Sequence, residues 1–234
     1  MKNFNAKLNY FTKTELLLWT VSVVFIVTSF FVFDRVNYVT LIASVIGVTS
    51  LIFNAKGNPI GQILIIIFGI IYGAISFTFA YYGEMITYLG MTAPMALFSL
   101  IAWLKNPFKG NRAEVAVNTL RSKEIAFMLF LTAMVTVVFY FVLDFFHTSN
   151  LIPSTISVST SFAAAYLTLR RSPYFALAYA LNDVVLIVLW ILAATRDISY
   201  LSVIICFIVF LVNDIYGFIN WKRLRAKQSA GSRS

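Results

Sequence analysis

The sequence predicts an all-α protein that crosses a membrane eight times, and three observations predict it. Hydrophobic residues make up 60% of the 234-residue chain and charged residues 12%, where an ordinary soluble domain carries about 25% charged. The apolar residues fall in continuous runs of 17 or more, not in ten-residue alternations, so each run is a helix and a closed barrel is excluded. Lysines and arginines gather between the runs, as they do on the cytoplasmic side of a membrane protein.

A helix rising about 1.5 Å per residue needs about 20 apolar residues to cross roughly 30 Å of hydrocarbon. Eight runs meet or approach that length: 16–33, 37–53, 60–82, 85–104, 124–146, 151–169, 173–194 and 199–221, taken as spans 1 to 8. Span 1 opens at Thr14-Glu15 and closes on Asp34. It is too long for the core of a cleavable signal, and no small-residue cleavage site follows. Span 2 runs into Asn54-Ala55-Lys56-Gly57, and Pro59 precedes span 3. Gly69 and Gly73 in span 3 have the spacing that lets helices approach closely. Span 4 ends on Trp103-Leu104-Lys105, and residues 105–123, with Asn106-Pro107 as a breaker, form a cytoplasmic linker. Span 5 opens at Lys123-Glu124 and closes on Asp144, Pro173 opens span 7, and span 8 ends on Trp221-Lys222-Arg223. The tail 222–234 is basic, then Ser/Gly-rich, and is expected to be disordered.

The beginnings and ends of spans 1–4 recur in spans 5–8 at offsets of 109 to 118 residues. The chain therefore divides into an N-terminal half (1–104), the linker, a C-terminal half (124–221) and the tail. Four spans per half return the chain to one side, which makes the halves parallel repeats with a site expected between them. With the N-terminus inside, sixteen lysines and arginines lie on the cytoplasmic side: Lys2, Lys7, Lys13, Lys56, Lys105, Lys109, Arg112, Arg121, Lys123, Arg170, Arg171, Lys222, Arg223, Arg225, Lys227 and Arg233. Only Arg35 and Arg196 are external. Both termini are thus expected in the cytoplasm.

Other classes fall away. The net charge of +9 is this topology signal, so no nucleic-acid partner is expected, and the partners are the bilayer and a small molecule. The single cysteine, Cys206, excludes an internal disulfide framework or cysteine metal cluster. His147 has no second histidine for a metal site; no Ser/His/Asp grouping or Gly-rich phosphate loop occurs, and neither enzyme nor cofactor is expected. An aspartyl intramembrane protease would place Gly before its second Asp, where Val212-Asn213 stands.

Two pairs, Asn182-Asp183 and Asn213-Asp214, interrupt apolar runs that hold no Lys, Arg or His. An ionised Asp at the bilayer centre costs roughly 2.5–3.5 kcal/mol, so each should meet a partner, water or a ligand. Tyr179, Asp183 and Trp190 share a stripe of span 7. On span 8, Asn213, Tyr216 and Asn220 form one stripe, with Asp214, Phe218 and Trp221 beside it. Tyr72 and Ser76 on span 3, Tyr88, Thr92 and Ser99 on span 4, and Asn54 and Gln62 near the cytoplasmic end are the polar groups of the first half. Aromatic faces beside amides and carboxylates suit a flat ring with polar edges. The expected substrate site is Asn182, Asp183, Asn213, Asp214, Tyr216, Tyr179, Trp190, Tyr72 and Tyr88. The competing reading of Asn and Asp in membrane helices is helix–helix bonding, worth about 0.6 kcal/mol each. Trp103 and Trp221, each close before a cytoplasmic basic residue, read as interfacial anchors.

In order along the chain stand Asn54-Ala55-Lys56-Gly57-Asn58, Tyr81-Tyr82-Gly83-Glu84, Trp103-Leu104-Lys105, Asn182-Asp183, Tyr200, and Asn213-Asp214-Ile215-Tyr216-Gly217 up to Trp221-Lys222. On these motifs the chain resembles the PnuC family of bacterial vitamin transporters, best known for nicotinamide riboside. The resemblance implies two three-helix bundles joined by a linker helix, similar to sugar transporters of the SWEET type. Spans 2–4 and 6–8 would be the bundles, span 5 the link and span 1 an N-terminal addition. It also implies facilitated diffusion across the plasma membrane, trapping of the substrate by a cytosolic kinase, and a homotrimer. One departure stands out: nicotinamide riboside members carry Trp-x-x-Trp before the polar residue of span 7, where this chain reads Ala176-Leu177-Ala178-Tyr179. Thiamine and deoxyribonucleosides, taken by other members, stay open as substrates. So do proton coupling through Asp183 or Asp214 and a non-transport membrane receptor.

Overall fold

The computed structural model describes residues 10–78, 82–148, 150–195 and 197–231. Lys2, Lys7, Tyr81, Arg196 and Arg233, which entered the charge count and the motifs, lie outside the described residues. The main helices are α1 (Lys13–Phe33), α2 (Tyr38–Ala55), α3 (Ile60–Thr78), α4 (Tyr82–Lys105), α5 (Ser122–Phe145), α6 (Leu151–Leu169), α7 (Phe175–Ala194) and α8 (Leu201–Gly231). A short hairpin, β1 (Pro107–Phe108) and β2 (Asn111–Val115), joins α4 to α5.

Among the described residues seven helices are long and apolar enough to cross a membrane, and α6 is not. Span 6 was expected as an apolar run like the others. Its helix forms, but Ser154, Thr155, Ser157, Ser159, Thr160 and Ser161 lower its hydropathy. These hydroxyls are used inside the protein, as in the 2.7 Å bond between Ser159 Oγ and Thr136 Oγ1 of α5.

Helices α2, α3, α4, α6, α7 and α8 pack in a ring, each on the next and α8 back on α2. Outside it, α1 lies against α2 and α8, and α5 against α6. The pairings in one half have counterparts in the other, and so do the helix ends. Glu15 caps α1 by accepting from Thr12 N–H at 2.7 Å and pairs with Lys56 at the end of α2, 3.1 Å away. Glu124 caps α5 by accepting from Arg121 N–H at 3.1 Å and pairs with Arg170 at the end of α6. Both α2 and α6 close with a left-handed residue, Gly57 (φ 66°) and Arg171 (φ 56°). The following N–H, of Asn58 or Ser172, reaches back 3.0 Å to Phe53 or Leu167 C=O, the Schellman ending in which glycine is normal and arginine costs backbone strain.

Residues 105–123 join α4 to α5 through a docked hairpin: Val115 N–H donates to Gly57 C=O at 2.9 Å, and Asn118 N–H to Arg171 C=O at 3.0 Å. Two expectations are corrected here. The tail is not disordered over 222–231, because α8 continues through it. Leu, Ala, Lys and Arg favour helix there, and buried Gln228 accepts from Val117 N–H at 2.8 Å and donates to Val115 C=O at 3.0 Å. Trp103 and Trp221 are not interfacial anchors, being 1% and 0% exposed with ring centres 5.4 Å apart. Trp103 Nε1–H donates to Thr168 C=O at 2.9 Å, and Trp221 Nε1–H to Asn54 C=O at 2.7 Å. Each indole thus satisfies a carbonyl in the last turn of a helix from the other half.

Candidate functional site

The ring encloses a cavity of about 370 Å³. At one end lie the buried amides Asn54 and Gln62, joined by a 2.8 Å hydrogen bond, with Phe175 and the paired tryptophans behind them. At the other end the lining runs past Trp190 and Tyr200 to half-buried Asp34 and exposed Asp197, where the cavity meets the surface. The Ser199 backbone N–H, with its hydroxyl, holds the Asp197 carboxyl below its ordinary range.

One wall is aromatic. Phe68 and Tyr72 are one turn apart on α3, ring centres 4.7 Å apart, and Tyr88 of α4 lies 5.2 Å from Tyr72 and 6.0 Å from Phe68. These separations are those of stacked and edge-to-face rings. The opposite wall is polar and comes from α7 and α8. Tyr179, Asn182, Asp183, Leu186 and Trp190 follow the helical repeat on α7, as do Phe207, Phe210 and Asp214 on α8. Asn182 Oδ1 accepts from Thr160 Oγ1 at 2.8 Å and Ser157 Oγ at 3.3 Å, which turns its NH₂ toward the cavity. Asp183 and Asp214 both line this wall, and Asp183 Oδ2 is buried without a hydrogen-bond partner. Five acids, Asp34, Glu84, Asp183, Asp197 and Asp214, line the space, with no lysine, arginine or histidine among the described lining residues.

Seven of the nine expected site residues therefore line one cavity: Tyr72, Tyr88, Tyr179, Asn182, Asp183, Trp190 and Asp214. Asn213 and Tyr216 do not. Asn213 Nδ2 donates to Ser22 Oγ on α1 at 2.9 Å and to Val209 C=O at 2.8 Å, and Tyr216 Oη donates to Glu15 Oε1 at 3.2 Å. Consecutive residues of a helix point about 100° apart, so Asn213 and Asp214 could not share a face. The paired motif on α8 splits between helix bonding and cavity.

Sequence reasoning passed over Phe68, Phe207, Phe210, Glu84 and Met91, all in the lining. The signal was available in part, since Phe68 is four residues before Tyr72, and Phe210 four before Asp214. Gly47 is also required: a Cβ there would lie 2.7 Å from the Phe210 ring.

A sequence profile described as nicotinamide mononucleotide transporter matches residues 37–223, well over half of the chain. The chain belongs to the nicotinamide mononucleotide transporter family. Family members are multi-pass membrane transporters rather than enzymes, and that much holds for this chain. It is 26% identical over 204 residues to the nicotinamide riboside transporter PnuC of Neisseria mucosa (strain ATCC 25996 / DSM 4631 / NCTC 10774 / M26), covering 85% of this chain and 77% of that one. It shares its fold with the structure titled "Crystal structure of the Vitamin B3 transporter PnuC", at a TM-score of 0.79 and 22% identity over 93% of this chain and 94% of the other. The family's all-helical membrane fold is thus the frame in which the cavity sits.

Proposed function

We propose that this transporter carries a phosphate-free, nicotinamide riboside-like nucleoside by facilitated diffusion, bound in the cavity between α3–α4 and α7–α8. The observation that carries the reading is the lining: stacked aromatic rings on one wall, a carboxylate pair on the other, and no cationic side chain described between them. A flat base stacks against Tyr72 and Tyr88. Ribose hydroxyls donate to Asp183 and Asp214 and accept from the Asn182 amide. Aromatic faces and carboxylates both favour a pyridinium charge. A phosphate monoester finds no cation among the described lining residues and meets Asp34 and Asp197 at the mouth, so the nucleoside is favoured over the mononucleotide of the family's description. The name of the Neisseria mucosa relative agrees with this choice.

We place both termini in the cytoplasm of a plasma-membrane protein on the charge bias, which makes the Asp197 end external and the tryptophan end the closed inner gate. The two bundles would be α2–α4 and α6–α8, with α5 linking them and α1 an addition; the family profile begins at residue 37, after α1. The halves rock about the bound ligand, and a cytosolic kinase traps it.

Purified protein in liposomes tests this directly. Labelled nicotinamide riboside should equilibrate without an imposed ion gradient, nicotinamide mononucleotide should stay outside, and Asp183→Ala should stop uptake. Uptake of thiamine or deoxyribonucleosides in place of nicotinamide riboside would reassign the substrate, which the missing Trp-x-x-Trp keeps open. Movement of none of them would end the transport reading in favour of a receptor. A proton-coupled variant is favoured by the two intramembrane acids, Asp183 and Asp214, that line one cavity, since acids inside membrane helices serve as proton relays in transporters. Uptake driven by a pH gradient and lost in Asp214→Asn would establish it over facilitated diffusion.

A further inference from the structure

Helix α4 is not uniform. It is α-helical over Tyr82–Ile86 and Ala93–Lys105 but π-helical over Thr87–Thr92, where Ala93 N–H donates to Tyr88 C=O, five residues back instead of four. The cause is local. Pro94, in the first turn after the π segment, has no N–H, and a helical proline ring clashes with the carbonyl four residues before it, here that of Gly90. Widening the turn by one residue relieves the clash, and such single π turns occur often at functional sites.

An extra residue in a turn rotates everything before it by about 100° around the helix axis. In an unbroken α-helix Ala93 N–H would bond to Leu89 C=O, and Leu89 would stand where Tyr88 now completes the aromatic wall. We propose that Pro94 is a positioning residue for the substrate site, holding the π turn that brings Tyr88 to the cavity in place of Leu89. The neighbouring helix is cut to receive this register. Leu89 seats against Gly73, where a Cβ would lie 2.5 Å from Leu89 Cγ. The corresponding helix of the other half, α8, is α-helical throughout, so the device belongs to the aromatic wall alone.

The inference rests on the transport reading for its consequence but not for its geometry, and the experiment separates the two. In a Cys206→Ala background, Tyr88→Cys and Leu89→Cys are labelled with a charged, membrane-impermeant thiol reagent. With Pro94 present, position 88 should react and position 89 should not; with Pro94→Ala added, the reactivities should exchange. Unchanged labelling at both positions overturns the proposal. For binding, Pro94→Ala should weaken nicotinamide riboside at least about tenfold, as should Tyr88→Ala, which removes a stacking ring, with the melting temperature of Pro94→Ala equal or higher. Deleting Gly90 in the Pro94→Ala protein returns Tyr88 to four residues before Ala93, and should restore affinity. Exchanged labelling with no binding change would uphold the register and sink the cavity as a nucleoside site; exchanged labelling with lost binding that the deletion fails to restore would sink the positioning role.

Discussion

Asn213 and Asp214 are neighbours in the chain with separate tasks. Asn213, 1% exposed, ties α8 to Ser22 of α1, so Asn213→Ala should lower stability by about 1 kcal/mol, the net worth of a buried hydrogen bond. Nicotinamide riboside affinity should not change. Asp183→Ala should do the reverse, because its buried Oδ2 has no partner in the protein and its removal costs the fold little while costing the ligand an acceptor. Melting curves and binding isotherms on the two variants check both statements. An unsatisfied buried oxygen calls for an explanation, and a polar substrate supplies one.

Helix ends decide more of this structure than helix middles. Two buried indoles, each bonded to a last-turn carbonyl of another helix, pack together behind Phe175, which lines the Asn54–Gln62 end of the cavity. Trp221→Ala should cost about 3–5 kcal/mol, the range for emptying an aromatic site in a packed core, while Trp221→Phe should keep most of the packing and lose about 1 kcal/mol with the N–H bond. Thermal melts in detergent distinguish them. The Glu15–Lys56 pair fastens the outer helix α1 in the same region, with Glu15 1% exposed and also accepting from Tyr216 Oη. Lys56 further lies 4.7 Å from the Tyr10 ring centre. Removing one member of a buried pair leaves the other unpaired, so Glu15→Ala should destabilise by about 3 kcal/mol. Lys56→Ala should be additive with it to a lesser degree than two independent changes.

Charge is distributed against the average. The protein carries a net +9, yet no described cation lines its cavity, and two acids, Asp34 and Asp197, stand at its mouth. Acidic walls around a mouth raise the local concentration and capture rate of a cation, an effect that falls with salt. Asp197→Asn, at the exposed mouth, should therefore slow capture of the cationic nicotinamide riboside and flatten its salt dependence, leaving a neutral nucleoside unaffected. Stopped-flow association at two ionic strengths would measure it. The repeated backbone and unrepeated lining belong together here. Matching turns and ion pairs recur at the ends of α1–α2 and α5–α6, but the two acids come from α7 and α8 and the ring cluster from α3 and α4.

Apolar runs, basic loops and the membrane's demand that every backbone group be satisfied were enough, by the sequence alone, to determine an all-helical membrane protein and the approximate ends of its helices. The i, i+4 and i+11 spacing on span 7 was enough to put Tyr179, Asp183 and Trp190 on one stripe, because helical geometry is local. What lay across from that stripe was decided only by tertiary structure. Asn213 and Tyr216 turned to α1, and Trp103 and Trp221 went inward. Each depends on which neighbour a given helix face meets, and that choice is made by packing between distant segments, where hydrophobicity along the chain carries no signal.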